Sequence, residues 1–363
     1  MVTRLEGRVL LPDGRLEKGA LVGDEGGITA FRAGPAPERL VLPGFVDVHV
    51  HGGGGHDTMD GAEGVLGLAR FHVAHGTTSL CPTTVTSQEE DLARALRGVG
   101  EAARTSPARI LGAHLEGPFI SERKLGAQPR RSRLPDPALL ARLLAAGPIA
   151  IATLAPELEG ALALVDALAR KGVRASLGHS ECAFADAEKA FARGARGATH
   201  LWNAMSGAHH REPGLAAAAL DAKDAFLELI LDGHHVHPAV ARVTLRAARG
   251  RVVLVTDAIR AAGKPEGPTE LGGQRVVVRE GRATLEDGTL AGSVLTLDRA
   301  LANAVAWGVP VAEATLLVTR NPADYLGRRD LGRFEPGARF DAVLLDDRMA
   351  VEQVVVDGKI VAP

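Results

Sequence analysis

Strand-length apolar runs alternate with helical patterns through the middle of the chain, and this alternation restricts the fold more than any other feature. Parallel strands need long crossover connections, usually helices, so repeated strand-then-helix units predict a parallel sheet with helices outside it. The runs lie at 46–50, 110–115, 149–154, 173–177, 198–201, 226–231 and 252–256. With about eight units expected, we predict an α/β fold, a closed (β/α)8 TIM-like barrel. The main alternative is an open doubly wound sheet, but no GxGxxG motif with an acidic partner follows a first strand.

Both ends of the chain differ from the middle because they show strand and turn patterns without helical ones. Short strands are expected in 1–42, in 340–346 and in 351–361, where Asp357-Gly358 marks a turn. We therefore predict a small β-sandwich domain formed by 1–42 and 331–363 together, with the barrel over 43–330. A β-hairpin insertion is expected near 271–288.

Composition excludes several classes of protein. The chain has 42 basic and 44 acidic residues, a formal net charge of −2, which argues against a general nucleic-acid or membrane-surface binder. An anionic ligand would therefore need a local cluster of positive groups. Two cysteines, Cys81 and Cys182, exclude a disulfide scaffold and fit a reducing compartment. Without an apolar run of about 20 residues or a leader pattern, we expect a soluble cytoplasmic protein.

Histidines and carboxylates recur at the carboxyl ends of the predicted strands. In a barrel these ends open onto one face, which is where active sites lie. His49 and His51 stand two residues apart on one strand, so their side chains point to the same side. Further candidates, at four other strand ends, are Glu116, His179, His200 and Asp257. Imidazole and carboxylate together suit zinc or ferrous iron.

A structural interpretation competes with the metal hypothesis at every one of these positions. A single buried histidine is more often a hydrogen-bonded core residue than a ligand. Ligand-type residues at the ends of five separate strands are harder to explain by packing, because burying ionisable groups is unfavourable unless they are paired or bind a metal. The whole set therefore favours a metal site. His114, two residues before Glu116, is expected to support the ligands rather than to be one.

Several motifs stand in order between about residue 43 and residue 292. They are HxH at 49–51 after PGFVD, HLEGPF at 114–119, GHS at 178–180, THLWNAM at 199–205, HREPG at 210–214, DGHH at 232–235 and VTDA at 255–258. The HxH motif resembles the opening motif of the amidohydrolase superfamily. Together the motifs resemble the N-acetylglucosamine-6-phosphate deacetylase family within it, and the longer ones are far more specific than HxH alone.

The resemblance implies a metal centre and a reaction. Glu116, His179 and His200 would hold the principal metal, Zn or Fe. His49, His51 and Asp257 would complete a second position that Glu116 bridges, so one or two ions are expected per subunit. The implied reaction is hydrolysis of the acetamide of N-acetyl-D-glucosamine 6-phosphate to D-glucosamine 6-phosphate and acetate, in amino-sugar catabolism. Asp257 would act as general base and then as general acid.

The resemblance also implies a set of substrate contacts. Arg211 and His235 would hold the phosphate, and Arg211 would serve the neighbouring subunit's site in a homodimer. The remaining contacts would be Ala127, Gln128, Asn203, Ala204, Leu290, Ala291 and Gly292. Gln128 departs from the family pattern, because several relatives have a histidine there. Glutamine can donate a hydrogen bond but provides no cation, so its role is open.

Two alternatives remain at this level. One is an amidohydrolase for another N-acetylated amino sugar phosphate, such as the galactosamine epimer, which differs by the orientation of one hydroxyl. The other is a catalytically inactive amidohydrolase-like binding protein. The complete ligand set argues against inactivity, whereas nothing in the sequence separates the two epimers.

Overall fold

The computed structural model describes residues 2–362 and contains eight parallel strands hydrogen-bonded to one another in chain order. The eighth returns towards the first, because the His51 N–H donates to the Ala258 carbonyl at 2.9 Å and the Asp257 N–H donates to the His49 carbonyl at 2.8 Å. The predicted (β/α)8 barrel is thereby confirmed. Its strands are Phe45–Val50, Thr77–Thr84, Ala113–Glu116, Ile149–Leu154, Arg174–Leu177, Gly197–Ala198, Phe226–Leu229 and Val252–Leu254.

Amphipathic helices cover the outside of the barrel. In the helix Glu89–Ala102, the buried positions 92, 95, 96 and 99 follow helical spacing and form one apolar stripe against the strands. No helix among residues 2–362 is long and apolar enough to cross a membrane. The helices are Ala62–Val73, Glu89–Ala102, Pro137–Ala146, Ala161–Arg170, Phe184–Ala192, Leu215–Asp221, Pro238–Ala247, Leu297–Ala306, Val311–Val318 and Arg320–Tyr325, with 3-10 turns at Thr58–Asp60 and Glu122–Lys124.

The second barrel strand, Thr77–Thr84, is absent from the apolar runs that predict the others. Every residue in it is buried, although its sequence is rich in threonine. The Thr83 hydroxyl shows how this is tolerated: it donates to the Cys81 carbonyl at 3.1 Å and accepts the Val50 N–H at 2.9 Å. Threonine is β-branched and suits strands, but hydrogen bonding does not account for the whole strand, because the buried hydroxyls of Thr77 and Thr84 have no hydrogen-bond partner among residues 2–362.

The third barrel strand begins later than its apolar run predicts. The run at 110–115 divides into a short strand, Arg109–Ile110, beside the second barrel strand and the barrel strand Ala113–Glu116. Gly112, at φ 114°, makes the break, in a conformation that residues with a side chain rarely adopt. The break leaves Glu116 as the last residue of the third strand.

Strands from both chain ends form a second sheet outside the barrel. The sandwich expected there is realised as one hydrogen-bonded sheet of seven strands, mostly antiparallel, with a parallel pairing of Thr3–Leu10 and Leu40–Pro43. Leu5, Leu21, Phe334 and Phe340 pack into its apolar cluster. In spatial order the strands are Lys359–Ala362, Val351–Val356, Ala342–Leu345, Leu40–Pro43, Thr3–Leu10, Leu16–Asp24 and Gly27–Ala33.

The insertion after the eighth barrel strand is larger than the predicted hairpin near 271–288. It is a three-stranded antiparallel sheet, which adds a strand and begins earlier. The Gln274 side-chain amide donates to the Ala127 carbonyl at 2.6 Å, so the insertion lies against the loop that follows the third strand. The small sheet is built from Gly267–Leu271, Gln274–Arg279 and Arg282–Thr284. Separately, after the first barrel strand, Gly52–Gly53 pairs with His56–Asp57 in a two-stranded antiparallel sheet.

Arg109 fastens the terminal sheet to the barrel. Its guanidinium, 14% exposed, lies 2.5 Å from the Asp341 carboxylate and 2.6 Å from the Asp357 carboxylate. It also donates to the Ser79 hydroxyl at 3.0 Å, on the second barrel strand. Because Asp341 is only 4% exposed, loss of the guanidinium would leave a buried carboxylate without a cation.

We predict that Arg109→Ala lowers the free energy of unfolding by about 3 kcal/mol, because a buried charge loses its partner. Urea denaturation followed by circular dichroism measures the change. Arg15→Ala is the control, since Arg15 pairs with Asp13 where both side chains are exposed; that variant should lose less than about 0.5 kcal/mol. Equal losses in the two variants would contradict a fastening role for Arg109.

Candidate metal centre and substrate pocket

Three residues that follow barrel strands have left-handed backbone conformations. His179, His200 and Asp257 have φ values of 48°, 34° and 48°. Non-glycine residues rarely adopt this region, and such strain is typical of functional sites. These residues come just after the fifth, sixth and eighth strands. Glu116, at the end of the third strand, meets them over the barrel mouth.

Glu116, His179 and His200 form a tight group of donor atoms. Glu116 Oε1 lies 3.1 Å from His179 Nε2 and 3.1 Å from His200 Nε2, and these two nitrogens are 3.1 Å apart. Ligands about 2.0–2.1 Å from a tetrahedral zinc stand about 3.3 Å from one another. The spacing therefore suits three ligands of one ion.

Hydrogen bonds on the far sides of the rings indicate where the protons lie. His179 Nδ1 is 2.7 Å from the Lys124 carbonyl oxygen, which can only accept, so Nδ1 carries the proton. In a neutral ring Nε2 then presents a lone pair to the Glu116 carboxylate. The same holds for His51, whose Nδ1 is 3.2 Å from the Thr83 carbonyl oxygen. Lone pairs facing a carboxylate at such distances repel one another unless a cation lies between them.

A second group of donors lies beside the first. His51 Nε2 is 3.2 Å from Glu116 Oε2, 3.2 Å from Asp257 Oδ1 and 3.3 Å from His49 Nε2. The two oxygens of Glu116 have different nearest donors: Oε1 faces His179 and His200, with His49 Nε2 farther away at 3.6 Å, and Oε2 faces His51. Every one of these side chains is at most 10% exposed. The donor set fits one or two divalent ions, with Glu116 between the two positions.

The pKa values reflect the same crowding of charge. Burial alone would raise the pKa of Asp257, but the charge of His49 and the hydrogen bond to His51 outweigh it and lower that pKa to about 2. Burial would lower the pKa of His51, yet its bonds to Asp257 and Glu116 raise it to about 9. The raised pKa of His51 favours a second proton on that ring when no metal is bound, and a divalent cation would displace that proton.

Two carboxylates support histidines of the site: Glu228, which lies in none of the motifs, and Asp232, which opens the DGHH motif. Glu228, inside the seventh strand, accepts a hydrogen bond from His49 Nδ1 at 2.9 Å. Asp232 accepts one from His235 Nδ1 at 2.6 Å. Glu228 lies within an apolar run and Asp232 beside a glycine, so neither stands out as a ligand. Their roles follow from the histidines that they contact in the fold. For Glu228 that histidine is His49, which is distant along the chain.

His114 packs against His49, one of the clustered histidines. His114 Nε2 lies 2.7 Å from the Thr153 hydroxyl, and its Nδ1 lies 3.1 Å from the Val48 carbonyl. Its ring is 4.5 Å from that of His49, centroid to centroid. Since both ring nitrogens have other partners, His114 supports the cluster by packing and is not positioned as a metal ligand.

An open pocket of about 210 Å³ lies directly above the donor atoms. His51, Glu116, His179, His200 and Asp257 form its floor. Among the predicted substrate contacts, the wall contains Ala127, Gln128, Asn203, Ala204, His235, Leu290 and Gly292. Three further residues line the pocket that the motifs do not predict as substrate contacts, namely Gly126, Leu271 and Thr289.

Two predicted contacts lie outside this pocket. Ala291 is fully buried, and its N–H donates to the Ala283 carbonyl at 3.0 Å, so it shapes the loop from behind. Arg211 is exposed, with its guanidinium 2.8 Å from His210 Nε2. In the described range 2–362, no lysine or arginine lines the pocket. Apart from histidine, a positive charge for an anionic ligand would therefore have to come from outside the pocket wall.

His235 is the group in the wall best placed to carry positive charge. Asp232 accepts its Nδ1–H and also the backbone N–H groups of residues 234 and 235, at 2.8 and 2.9 Å. Burial lowers the pKa of His235, but the Asp232 carboxylate more than compensates and raises it. A protonated His235 can therefore donate from Nε2 to an anion.

The Gln128 side chain is already hydrogen-bonded within the protein, so only part of its amide is free to bind a substrate. Its Oε1 accepts the Thr86 N–H at 2.7 Å, and its Nε2 donates to Glu116 Oε2. Gln128 therefore holds the carboxylate that separates the two donor groups. One hydrogen of its amide nitrogen remains for a ligand in the pocket.

Comparison with known proteins identifies the family to which this chain belongs. Residues 40–361 match the model of the Amidohydrolase family. This chain is an amidohydrolase. The family model implies a divalent metal, for which the clustered donors are candidate ligands, and the chain is accordingly a metal-dependent hydrolase.

Individual members of this family are similar to the chain over most of its length. This amidohydrolase is 40% identical to the N-acetylgalactosamine-6-phosphate deacetylase of Escherichia coli O157:H7, over 97% of both chains. It is 37% identical to the N-acetylglucosamine-6-phosphate deacetylase of Vibrio furnissii, over 88% of this chain and 82% of the relative. An Asp→Ala variant of the Mycobacterium smegmatis N-acetyl-D-glucosamine-6-phosphate deacetylase, solved in complex with N-acetyl-D-glucosamine-6-phosphate, superposes with a TM-score of 0.94, at 36% identity and full coverage of both chains. The resemblance found in the sequence motifs is confirmed.

We predict that Glu116→Gln reduces the metal bound by the purified amidohydrolase to less than about a tenth of the wild-type amount, because the group with His179 and His200 loses its only carboxylate and the group with His51 loses one of its two. Inductively coupled plasma mass spectrometry measures metal per chain. His56→Ala is the control, because His56 is exposed near the HxH loop without belonging to the cluster. Unchanged metal content in Glu116→Gln would contradict the assignment of this site.

Proposed function

We propose that this amidohydrolase cleaves the acetamide bond of N-acetyl-D-glucosamine 6-phosphate, giving D-glucosamine 6-phosphate and acetate, as a step of amino-sugar catabolism. One observation carries the proposal. The donor cluster around Glu116 forms the floor of a pocket whose wall contains His235, and the Asp232 carboxylate outside the lining accepts the His235 Nδ1–H. A hydrolytic centre and an anion-binding group therefore face the same small space.

The metal would be Zn or Fe, with one or two ions per subunit. Glu116, His179 and His200 would hold the principal ion, and His49, His51 and Asp257 would complete the second position. A divalent ion at such a site lowers the pKa of bound water and polarises a carbonyl group. Imidazole nitrogen and carboxylate oxygen are donors that both metals accept, which leaves the identity to measurement.

Asp257 is our candidate for the proton-transfer group. Its lowered pKa, about 2, keeps the carboxylate ionised at neutral pH, which is the form that accepts a proton. It lines the pocket beside the donor atoms. Asp257 would take the proton from the attacking water and then give it to the departing amine.

The phosphate would be held by His235 and by Arg211. Because Arg211 is exposed and outside the pocket of its own chain, we propose that it enters the site of a second subunit in a homodimer. Arginine binds phosphate through two parallel hydrogen bonds. The sugar and acetyl groups would contact Ala127, Gln128, Asn203, Ala204 and the 290–292 loop.

A second candidate substrate is N-acetyl-D-galactosamine 6-phosphate. The relative from Escherichia coli O157:H7, which matches 97% of the chain, is a deacetylase for that epimer. The two substrates share the acetamide and the phosphate, so the same catalytic groups serve either one. The ratio of kcat/KM for the two sugars decides between them, and the proposal requires a ratio in favour of the glucosamine compound.

We predict that Asp257→Asn lowers kcat for acetate release from N-acetylglucosamine 6-phosphate by about 10²–10⁴-fold, because an amide cannot accept the proton. The assay measures acetate, with metal content determined in parallel so that lost metal is not mistaken for lost proton transfer. Asp298→Asn, a carboxylate paired with His75 elsewhere, should retain wild-type turnover. Full turnover by Asp257→Asn would remove this residue from the mechanism.

We predict that Arg211→Ala raises KM for the 6-phosphate substrate by about 10–100-fold, the effect of losing a charged hydrogen-bonding partner. The kcat/KM for unphosphorylated N-acetylglucosamine, measured in the same acetate assay, should stay unchanged. Arg193→Ala is the matched control, because Arg193 is an exposed arginine paired with Asp166 away from the pocket. A similar loss for both sugars would mean that Arg211 does not bind phosphate.

A further inference from the structure

Glu228 is a fully buried carboxylate inside the seventh barrel strand. One oxygen, Oε2, accepts the His49 Nδ1–H at 2.9 Å and the His200 backbone N–H at 3.2 Å. The other, Oε1, has no hydrogen-bond partner within residues 2–362. In the same range no lysine or arginine pairs with it, and His49 is its ion-pairing partner. Keeping a carboxylate in such a place is unfavourable, so a simple packing role explains it poorly.

The contact with His49 determines how that ring faces the donor cluster. Because a carboxylate oxygen accepts, His49 Nδ1 carries the proton and Nε2 of the neutral ring presents its lone pair. Nε2 lies 3.3 Å from His51 Nε2, 3.5 Å from Asp257 Oδ1 and 3.6 Å from Glu116 Oε1. Glu228 therefore aims the free electron pair of His49 at the second donor group.

Glu228 also contacts the first donor group through the backbone. The N–H that it accepts belongs to His200, whose φ of 34° turns its side chain towards Glu116 and His179. A single carboxylate thus fixes the ring of one candidate ligand and the main chain of another. Outer carboxylates of this kind hold ligand rings in place and strengthen metal binding.

We propose that Glu228 is a positioning residue for a metal ion at the His49–His51 position and so sets whether this chain holds two ions or one. The inference rests on the proposed metal-dependent function and goes beyond it, because it concerns occupancy of the second position. In Glu228→Gln the side chain keeps its size but loses its charge. Its neutral amide oxygen is a weaker acceptor than a carboxylate oxygen for the His49 Nδ1–H, and its amide nitrogen adds a donor that a carboxylate lacks.

The test is metal occupancy of the full-length protein at defined free zinc. Wild type, Glu228→Gln and Asp298→Asn are dialysed against a series of zinc-buffered solutions, and zinc per chain is measured by inductively coupled plasma mass spectrometry. Asp298 is the matched control, since it is a largely buried carboxylate bonded to His75 Nδ1 at 3.1 Å, away from the donor cluster. Far-UV circular dichroism and thermal unfolding establish that each variant is folded.

We expect wild type and Asp298→Asn to bind two zinc ions per chain. In Glu228→Gln the first ion should bind nearly as in wild type, whereas the second should require about 10–100-fold more free zinc. Raising free zinc should restore the second ion to the variant, which a misfolded protein would not show.

Two results would overturn the inference while leaving the proposed function intact. One is a second ion that binds Glu228→Gln as tightly as wild type. The other is a wild-type protein that binds a single ion at every zinc concentration, because there would then be no second ion to position. A wild-type protein that binds no metal would instead contradict the proposed function itself.

Discussion

The conflict between lone pairs around Glu116 is the constraint on which the rest of the site depends. Imidazole nitrogens from His51, His179 and His200 lie 3.1–3.2 Å from its carboxylate oxygens, in a setting almost closed to water. Protons or a divalent cation must separate them, and the hydrogen bonds on Nδ1 of His51 and His179 already use those rings' own protons. The fold has to supply strong support to keep such groups together.

The barrel supplies that support through its strand ends. Parallel strands bring their carboxyl ends to one face, so residues far apart in the chain meet without long loops. The left-handed turns at His179, His200 and Asp257 then direct side chains over the barrel mouth. Outside this ring, Glu228, Gln128 and the Lys124 carbonyl hold the donors in place. The gathering of donor side chains at the barrel mouth therefore accounts both for the strained backbone after the strands and for the buried charged groups.

The alternation of strands and helices was enough to predict the barrel, and residue types at strand ends were enough to predict which histidines and carboxylates lie together at its mouth. What the sequence could not provide follows from physics. Thr77–Thr84 escaped because hydroxyl groups look polar until their backbone partners are known. Glu228 escaped because its meaning depends on His49, a contact made only in three dimensions. Arg211 matched a motif, yet its exposure outside the pocket is visible only in the fold.

Anomalous diffraction from crystals of the metal-loaded protein, collected at the metal absorption edge, tests the central claim most directly. Our account predicts an anomalous peak about 2.0–2.2 Å from Glu116 Oε1, His179 Nε2 and His200 Nε2 together. A well-ordered cluster with no peak there, and with these three side chains held by protons alone, would contradict it.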